Sequence, residues 1–323
     1  MTTINVSSQF TMLELANRTN NKDVIEIANV LAQANDIVSD AYWVEANQKN
    51  GHVGTKATLL PSGTWRQANQ GAGISAASTR QVTEPIGRLE DFSDIDEAIL
   101  DLNAEKKGAI RSGEDKLHLE GLAQEMAETI IYGDRATTPE QPDGLATRYD
   151  ALSMANVLGA GGKGSDTTSL WLIKWGEMAF HLVYPKGTPV GLHFEDKGRV
   201  RVTPEAGKVY YAYETQFVVN MGLFVHDDRC VQRIANIETS GSENTLDDDQ
   251  IVQAINNLPR LGGGAGNVIY VNKTLKTQLD ILAKDKINVN YTTDNAFGEP
   301  VTRFRGIPVR MVEQIKDTET AIS

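Results

Sequence analysis

The chain has 323 residues, 40% hydrophobic and 23% charged, enough apolar material for one or two cored domains, which excludes disorder over most of its length. Its net charge is −12, and lysines and arginines stand singly among acids, which argues against the basic stripe of a protein that binds DNA by neutralising phosphates. No apolar run of about 18 residues exists to span a membrane, MTTINVSSQF lacks the pattern of a secretory signal, and the single cysteine, Cys230, permits no intrachain disulfide.

Residues 1–20 are polar and weakly patterned and read as an arm. Val24, Ile27, Ala28, Leu31, Ala34 and Val38 recur at helical spacing, which predicts a helix over 23–38 with Asp23 as its N-cap. Residues 47–88 are rich in Gly, Ser, Thr, Asn and Gln and hold few apolar groups. A loop of this length without a core is uncommon inside a compact domain. It reads as an extended two-stranded excursion, its Thr, Val and Trp residues pairing across a hairpin and the Gly71–Gly73 region flexible. Such an excursion cannot offset its own ordering entropy, about 1–2 kcal/mol per residue, and needs a partner to bury it. Leu59, Leu60 and Trp65 are its candidate anchors on that partner, the alternative for Trp65 being packing on its own domain. Arg66, Arg80, Glu84 and Arg88 are its candidate intersubunit ion pairs.

Residues 91–96 carry Asp91, Asp94 and Asp96 among small apolar residues and read as a solvated segment before a helix. The clearest element is 112–132. Leu119, Leu122, Ala123, Met126 and Ile130 make one apolar stripe, Ser112 with Asp115 resembles a capping box, and Gly133 is the expected stop. Gly121 inside it implies close approach of another element. From residue 169 the chain is strand-dominated: SLWLIKW, FHLVYP, GRVRVT and KVYYAYETQFVVNMGLFVHD are rich in β-branched and aromatic residues. A helix follows at 246–258, with Thr245 and Asp248 as its expected capping box, then a strand in GNVIYVN, a helix in KTLKTQLDILAK and a strand in FRGIPVRMVEQI. The class is α+β.

The motifs that would carry chemistry fail on spacing. GAGGKGS at 159–165 places Gly164 between Lys163 and Ser165, so no hydroxyl follows the lysine as a P-loop requires. LGGGAGN at 261–267 precedes a strand instead of following one, so the dinucleotide fingerprint fails in order. Both read as flexible surface loops. No histidine pair has metal-site spacing, His226-Asp227-Asp228 reads as an acidic turn, Asp247–Asp249 as acids at a helix N-terminus, and Cys230 as a buried structural thiol. No catalytic, cofactor-binding or metal-binding residue is expected.

The order of these features resembles a known family. A polar arm precedes the hairpin with TLLPSGTWRQANQG and QVTEPIGRLEDFSDID. A capped helix ending in AETIIYGD follows, then PDGLATRYD, GLFVHDDRCVQRIANI and FRGIPVRMVEQI. Over roughly residues 35–318 this is similar to the major capsid proteins of tailed bacteriophages with the Hong Kong 97-like fold. The resemblance implies an N-terminal arm with a helix at 1–46, an extended loop at 47–90 that lies over a neighbouring subunit, and a peripheral domain at 91–143 with 112–132 as spine. It implies an axial domain in two parts, 144–207 and 241–323. The family's later strands are missing after GIPV, so 208–240 is expected to complete the peripheral sheet in altered strand order. The implied function is assembly, as pentamers and hexamers, into the icosahedral shell of a virion built in the bacterial cytoplasm. The implied partners are a portal protein, a decoration protein, packaged double-stranded DNA bound without sequence specificity, and a separate scaffolding protein, because the pattern begins close to Met1. No intersubunit covalent bond at Lys49 or Lys56 is expected. An encapsulin-like compartment shell and a soluble α+β enzyme or ligand-binding protein are the alternatives.

Overall fold

The computed structural model describes residues 19–20, 23–24, 35–205, 208–241, 243–259, 266–285, 291–296 and 299–323. In chain order the elements begin with β1 (Thr19–Asn20), β2 (Asp23–Val24), α1 (Asp36–Asp40), β3 (Trp43–Glu45), β4 (Gly51–Leu59), β5 (Ser78–Pro85) and β6 (Gly87–Asp96). Then come α2 (Glu97–Asp101), α3 (Lys107–Tyr132), α4 (Leu145–Arg148), β7 (Val157–Gly159), β8 (Thr167–Lys174), β9 (Phe180–Tyr184), β10 (Leu192–Glu205), β11 (Lys208–Val225) and β12 (Val231–Glu238). The last are α5 (Asp248–Asn257), β13 (Asn267–Val271), α6 (Lys273–Asp285), β14 (Tyr291–Ala296), β15 (Glu299–Phe304) and β16 (Ile307–Met311).

Two compact units result. Of the described residues, the first contains 19–20, 23–24 and those of 88–126 and 191–220; the second contains those of 35–87, 127–190 and 221–323. In the first unit β10 runs antiparallel to β11, with Phe194 opposite Phe217 and Val200 opposite Ala212, and β6 also pairs with β11. A bulge between Asp196 and Gly198 bends β10. Gly198 takes φ +73, which only glycine adopts without strain, and its N–H donates to Asp196 Oδ1 at 2.8 Å. Arg111 on α3 donates to Asp196 through Nη2 at 2.7 Å and to Thr215 at 3.1 Å, fixing the helix to both strands. Ile95, Ile99, Leu100 and Ile110 form the core there, with Tyr213 against it.

In the second unit seven strands lie in the order β14-β15-β16-β13-β8-β12-β7. Every residue of β8 is buried, as expected for a central strand covered on both faces. Leu170 and Leu172 of β8, Ile234 and Ile237 of β12, and Ile269 and Val271 of β13 pack with Ile251 and Ala254 of α5 and Leu275 and Leu279 of α6. Apolar residues three or four apart on each helix meet alternate residues on β8 and β13, and on β12 a register shift between Ile234 and Ile237 brings both into the same core. The last residues of β11, Gly222–Val225, pair with β9, and β3 lies parallel to β9.

Several expectations change. The helix over 23–38 falls largely outside the described residues, but Asp23–Val24 is a strand paired with Thr19–Asn20, so Asp23 is no N-cap, and the described helix is Asp36–Asp40. The 112–132 helix begins at Lys107, directly after a 3-10 turn over Ala104–Lys106, so Ser112 and Asp115 lie inside it and cap nothing. The 246–258 helix is capped by Asp247, whose carboxylate accepts from Asp249 N–H at 3.2 Å, and not by Thr245. Gly121 faces open space, so no neighbour requires it. Residues 91–96 are strand, not a solvated segment: Ser93 and Ile95 are buried. Segment 208–240 is divided: β11 up to Asn220 belongs to the first unit with β10, and β12 lies in the seven-stranded sheet. The cause is hydrogen bonding: β10, expected with 144–207, pairs along most of its length with β11, and β12 is held by β8 and β7.

Gly133 ends α3 as expected. A Cβ there would sit 2.3 Å from Pro142 O, and one at Gly144 would sit 2.5 Å from Gly133 N. Two glycines back to back let the helix end fold onto the PDGL turn, closed by Gly144 N–H to Gly133 O at 2.7 Å. The 159–165 loop is not loose. Ala160 N–H donates to Ala235 O and Gly162 N–H to Asn236 O, each at 2.9 Å, and Ala321 N–H donates to Gly164 O at 2.8 Å. These backbone donors are taken inside the chain. The 261–267 loop lies mostly outside the described residues.

Candidate functional site

The hairpin of β4 and β5 is the feature that points to an interaction. Its register runs from Gly51 opposite Pro85 to Leu59 opposite Ser78. Nine residues of strand at about 3.3 Å each make an arm of roughly 30 Å. Between Leu59 and Ser78 there is no strand, so Trp65 pairs with nothing across the hairpin, contrary to expectation. The tip is tied only locally, by Ser75 Oγ to Ser62 O at 2.9 Å and Arg66 Nη1 to Gln70 O at 2.8 Å.

The root is held firmly, and entirely within the second unit. Glu84 receives both nitrogens of Arg148, Nη1 at 2.7 Å and Nη2 at 2.9 Å, in a fork geometry. Arg148 also donates from Nε to Asp143 O at 3.0 Å. Asn47 brackets Val53, accepting from its N–H and donating to its carbonyl. Gly54 lies flat on Phe224, where a Cβ would come within 2.2 Å of the ring. Lys56 stands opposite Arg80 in the register, a like-charge pairing, and its ammonium turns to Asp228 at 3.1 Å.

The candidate residues therefore divide. Leu59 (60% exposed), Leu60 (77%) and Trp65 (102%) are bare in the subunit, so Trp65 does not pack on its own domain. Arg80 is exposed as well. Glu84 is corrected: it is buried and its carboxylate is taken by Arg148, so it is an internal anchor and not an intersubunit one. Arg88 forms a surface pair with Glu90 at 2.9 Å in the first unit. Of the spine stripe, Leu122, Met126 and Ile130 are buried and Leu119 and Ala123 half-buried. Sequence reasoning missed Ile74, fully exposed on the tip, and Arg148 and Phe224, the hairpin's supports, whose partners lie 64 residues or more away along the chain.

A second polar construction pins the last residues to the sheet. Arg233 and Glu319 form a buried pair at 3.0 Å. Glu319 also accepts from Tyr132 Oη and Ser169 Oγ, each at 2.5 Å, and Arg233 donates to Tyr149 O at 2.7 Å and lies over the Trp171 ring. Burial, and then the Glu319 carboxylate, push the Tyr132 hydroxyl far above its ordinary range, so it stays a donor. Burial likewise pushes the Cys230 thiol up to about 11, which leaves it protonated at neutral pH and poorly nucleophilic.

An open cavity of about 1260 Å³ in the second unit is lined by Tyr42, Lys56, Lys174, Trp175, Met178 and Arg310 among others. Among the described residues no group of three or more His, Cys, Asp or Glu side chains is placed to hold a metal ion, and no helix is long and apolar enough to cross a membrane.

The arm is buried at its root and bare and apolar at its tip, and it stands on a two-unit α+β fold. The structure of bacteriophage Epsilon15 derived from cryo-EM is 31% identical in sequence and superimposes with a TM-score of 0.72, covering 100% of this chain and 99% of that one. The bacteriophage JBD30 capsid is 11% identical with a TM-score of 0.47, over 89% of this chain and 93% of that one. The SrpI encapsulin complex of Synechococcus elongatus is 10% identical with a TM-score of 0.49, over 71% of this chain and 97% of that one. No curated protein matches the chain. The family described as major capsid protein GP7 matches residues 19–323, and the chain belongs to that family. It is an α+β capsid protein of the Hong Kong 97-like fold and a structural component of the phage virion.

Proposed function

We propose that this subunit assembles as pentamers and hexamers into an icosahedral shell around double-stranded DNA, and that the hairpin is the arm by which each copy reaches the next. The observation that carries the reading is the contrast within the hairpin: Glu84 at its root is buried and paired, while Trp65 and Leu60 at its tip are bare. Burying Leu59, Leu60, Trp65 and Ile74 on a neighbour would contribute on the order of 6–12 kcal/mol gross, at about 1.5–3 kcal/mol per side chain. Ordering the tip and docking the subunit oppose this, so each contact is weak and the shell is stable because many form together. Arg66 and Arg80 are rim contacts in this reading, each worth little.

The first unit corresponds to the peripheral domain and the sheet of the second to the axial domain. A net charge of −12 suits a wall that holds DNA without adhering to it. A separate scaffolding protein, a portal protein and a decoration protein complete the expected partners. The test is electron microscopy of purified subunits incubated with scaffolding protein, comparing wild type with a Trp65→Ala, Leu60→Ala double variant. Shells from wild type, and folded subunits without shells from the variant, are expected. Shells of normal yield from the variant would remove the hairpin tip from the assembly contact.

A further inference from the structure

We propose that His52 and His181, gathered with His226 around Phe224, form an acid-sensitive latch that holds the root of the hairpin while these two rings are neutral and releases it when they charge. The three residues come from three places: His52 from β4 of the hairpin, His181 from β9, and His226 from the residue after β11. Ring centroids of His52 and His181 are 5.9 Å apart, and those of His181 and His226 6.4 Å. Phe224 touches all three rings, at 4.7 Å from His52, 5.4 Å from His181 and 5.3 Å from His226. Gly54 of the same strand lies on the same phenyl ring. The hairpin root is thus docked on an aromatic cluster in which the rings around Phe224 are imidazoles.

Polar satisfaction points the same way. Among the described residues, His52 Nδ1 and His181 Nε2 are buried with no hydrogen-bond partner. An unpartnered nitrogen is tolerable as the lone pair of a neutral ring; as an N–H of an imidazolium it would be a buried donor with nothing to meet. His181 Nδ1 faces Gly176 O at 3.3 Å, so its other nitrogen is the bare one.

Charges on the surrounding elements do not compensate. On β4, Lys56 is paired with Asp228. On β5, Glu84 is taken by Arg148 of α4, which also reaches Leu223 O beside Phe224. After β11, Asp227 is held by Arg229. Glu177, in the turn before β9, is exposed. Burial lowers the pKa of His181 to about 4 and that of His52 in the same direction, with the neighbouring rings adding to both.

The sign follows. A histidine whose docked pKa is depressed favours the docked state above its free value of about 6.5, and that preference is lost as pH falls from there toward about 4. Between these limits each such ring shifts the docking equilibrium by up to about tenfold per pH unit. The latch is a property of the single chain and does not depend on the assembly reading.

The test is hydrogen–deuterium exchange on the unassembled full chain, corrected for intrinsic rates, between about pH 7.5 and about pH 5. Peptides covering β4 and β5 are expected to lose at least about tenfold in protection at the acid end, while β13 in the seven-stranded sheet stays protected. A His52→Phe, His181→Phe variant, which keeps the rings and removes the titration, should hold its hairpin protection. Constant hairpin protection in wild type, or an equal acid loss in the folded variant, would overturn the latch. If the variant does not fold, histidine titration by NMR in wild type decides. Midpoints for His52 and His181 below the free value, moving with the loss of protection, support it. Ordinary midpoints refute it.

Discussion

Arg233 and Glu319 illustrate what single residues do here. Their side chains are 4% and 7% exposed, and Tyr132, Ser169 and the Tyr149 carbonyl complete the hydrogen bonding of both. Arg233→Ala would leave a carboxylate buried without its countercharge, at a cost of about 3–5 kcal/mol, measurable as a lowered urea midpoint of the unassembled subunit. His118 behaves differently. Asp91 lies 2.5 Å from its Nδ1 and Glu114 3.6 Å from its Nε2, and the ring stacks on Phe217. Glu114 and Asp91 push its pKa up to about 9. A raised histidine stabilises fully below its unfolded value of about 6.5, and the contribution vanishes as pH rises through about 9. His118→Gln should therefore cost at most about 3 kcal/mol at pH 6 and nearly nothing above about pH 9.5, as urea titrations across that range would report. Gly121 is the opposite case. It sits exposed in mid-helix with nothing beside it, so Gly121→Ala should stabilise by about 0.5–1 kcal/mol, read as a raised melting temperature.

At the level of elements, the hairpin is rigid where it is anchored and unsatisfied where it is exposed. Gly54 permits β4 to lie on Phe224, because any side chain there would collide with the ring. Gly54→Val should lift the root and expose β4 and β5 to faster hydrogen exchange at neutral pH, while leaving β8 and β13 protected. The final residues act as another element without regular structure. Glu319 N–H donates to Thr167 O at 2.8 Å, Asn236 accepts from Ile322 N–H at 2.9 Å, and Leu152 N–H donates to Ser323 O at 3.1 Å. This segment bonds to the first residue of β8, to the Asn236 side chain of β12 and to the loop at Leu152, which explains how it is held without being a helix or a strand.

For the whole molecule, the two units have separate cores, and among the described residues the tip of the arm carries the most exposed large apolar side chains, Trp65 and Ile74. Trp65→Ala is expected to leave the melting temperature of the free subunit within about 1 °C, since a fully exposed side chain contributes little to folding, while reducing shell yield several-fold in electron micrographs. A residue that matters for assembly and not for the subunit is the signature of a group meant for a neighbour.

The apolar stripe of α3, the β-branched and aromatic runs of β8 and β13, the stop at Gly133, the hairpin and the failure of the phosphate-binding spacings were all legible in the sequence, as was the order of motifs that resembles a capsid family. These depend on spacing within a few residues, which the chain carries by itself. Only the tertiary structure decided that β10 joins β11, that β12 lies between β8 and β7, that Glu84 meets Arg148, and that three histidines surround one phenylalanine. These pairings bring together residues far apart in the chain, and loop paths and competing hydrogen-bond partners select them. The exposed tip of the hairpin belongs to both: its composition announced a segment with no core of its own, and the fold showed which of its residues were left bare.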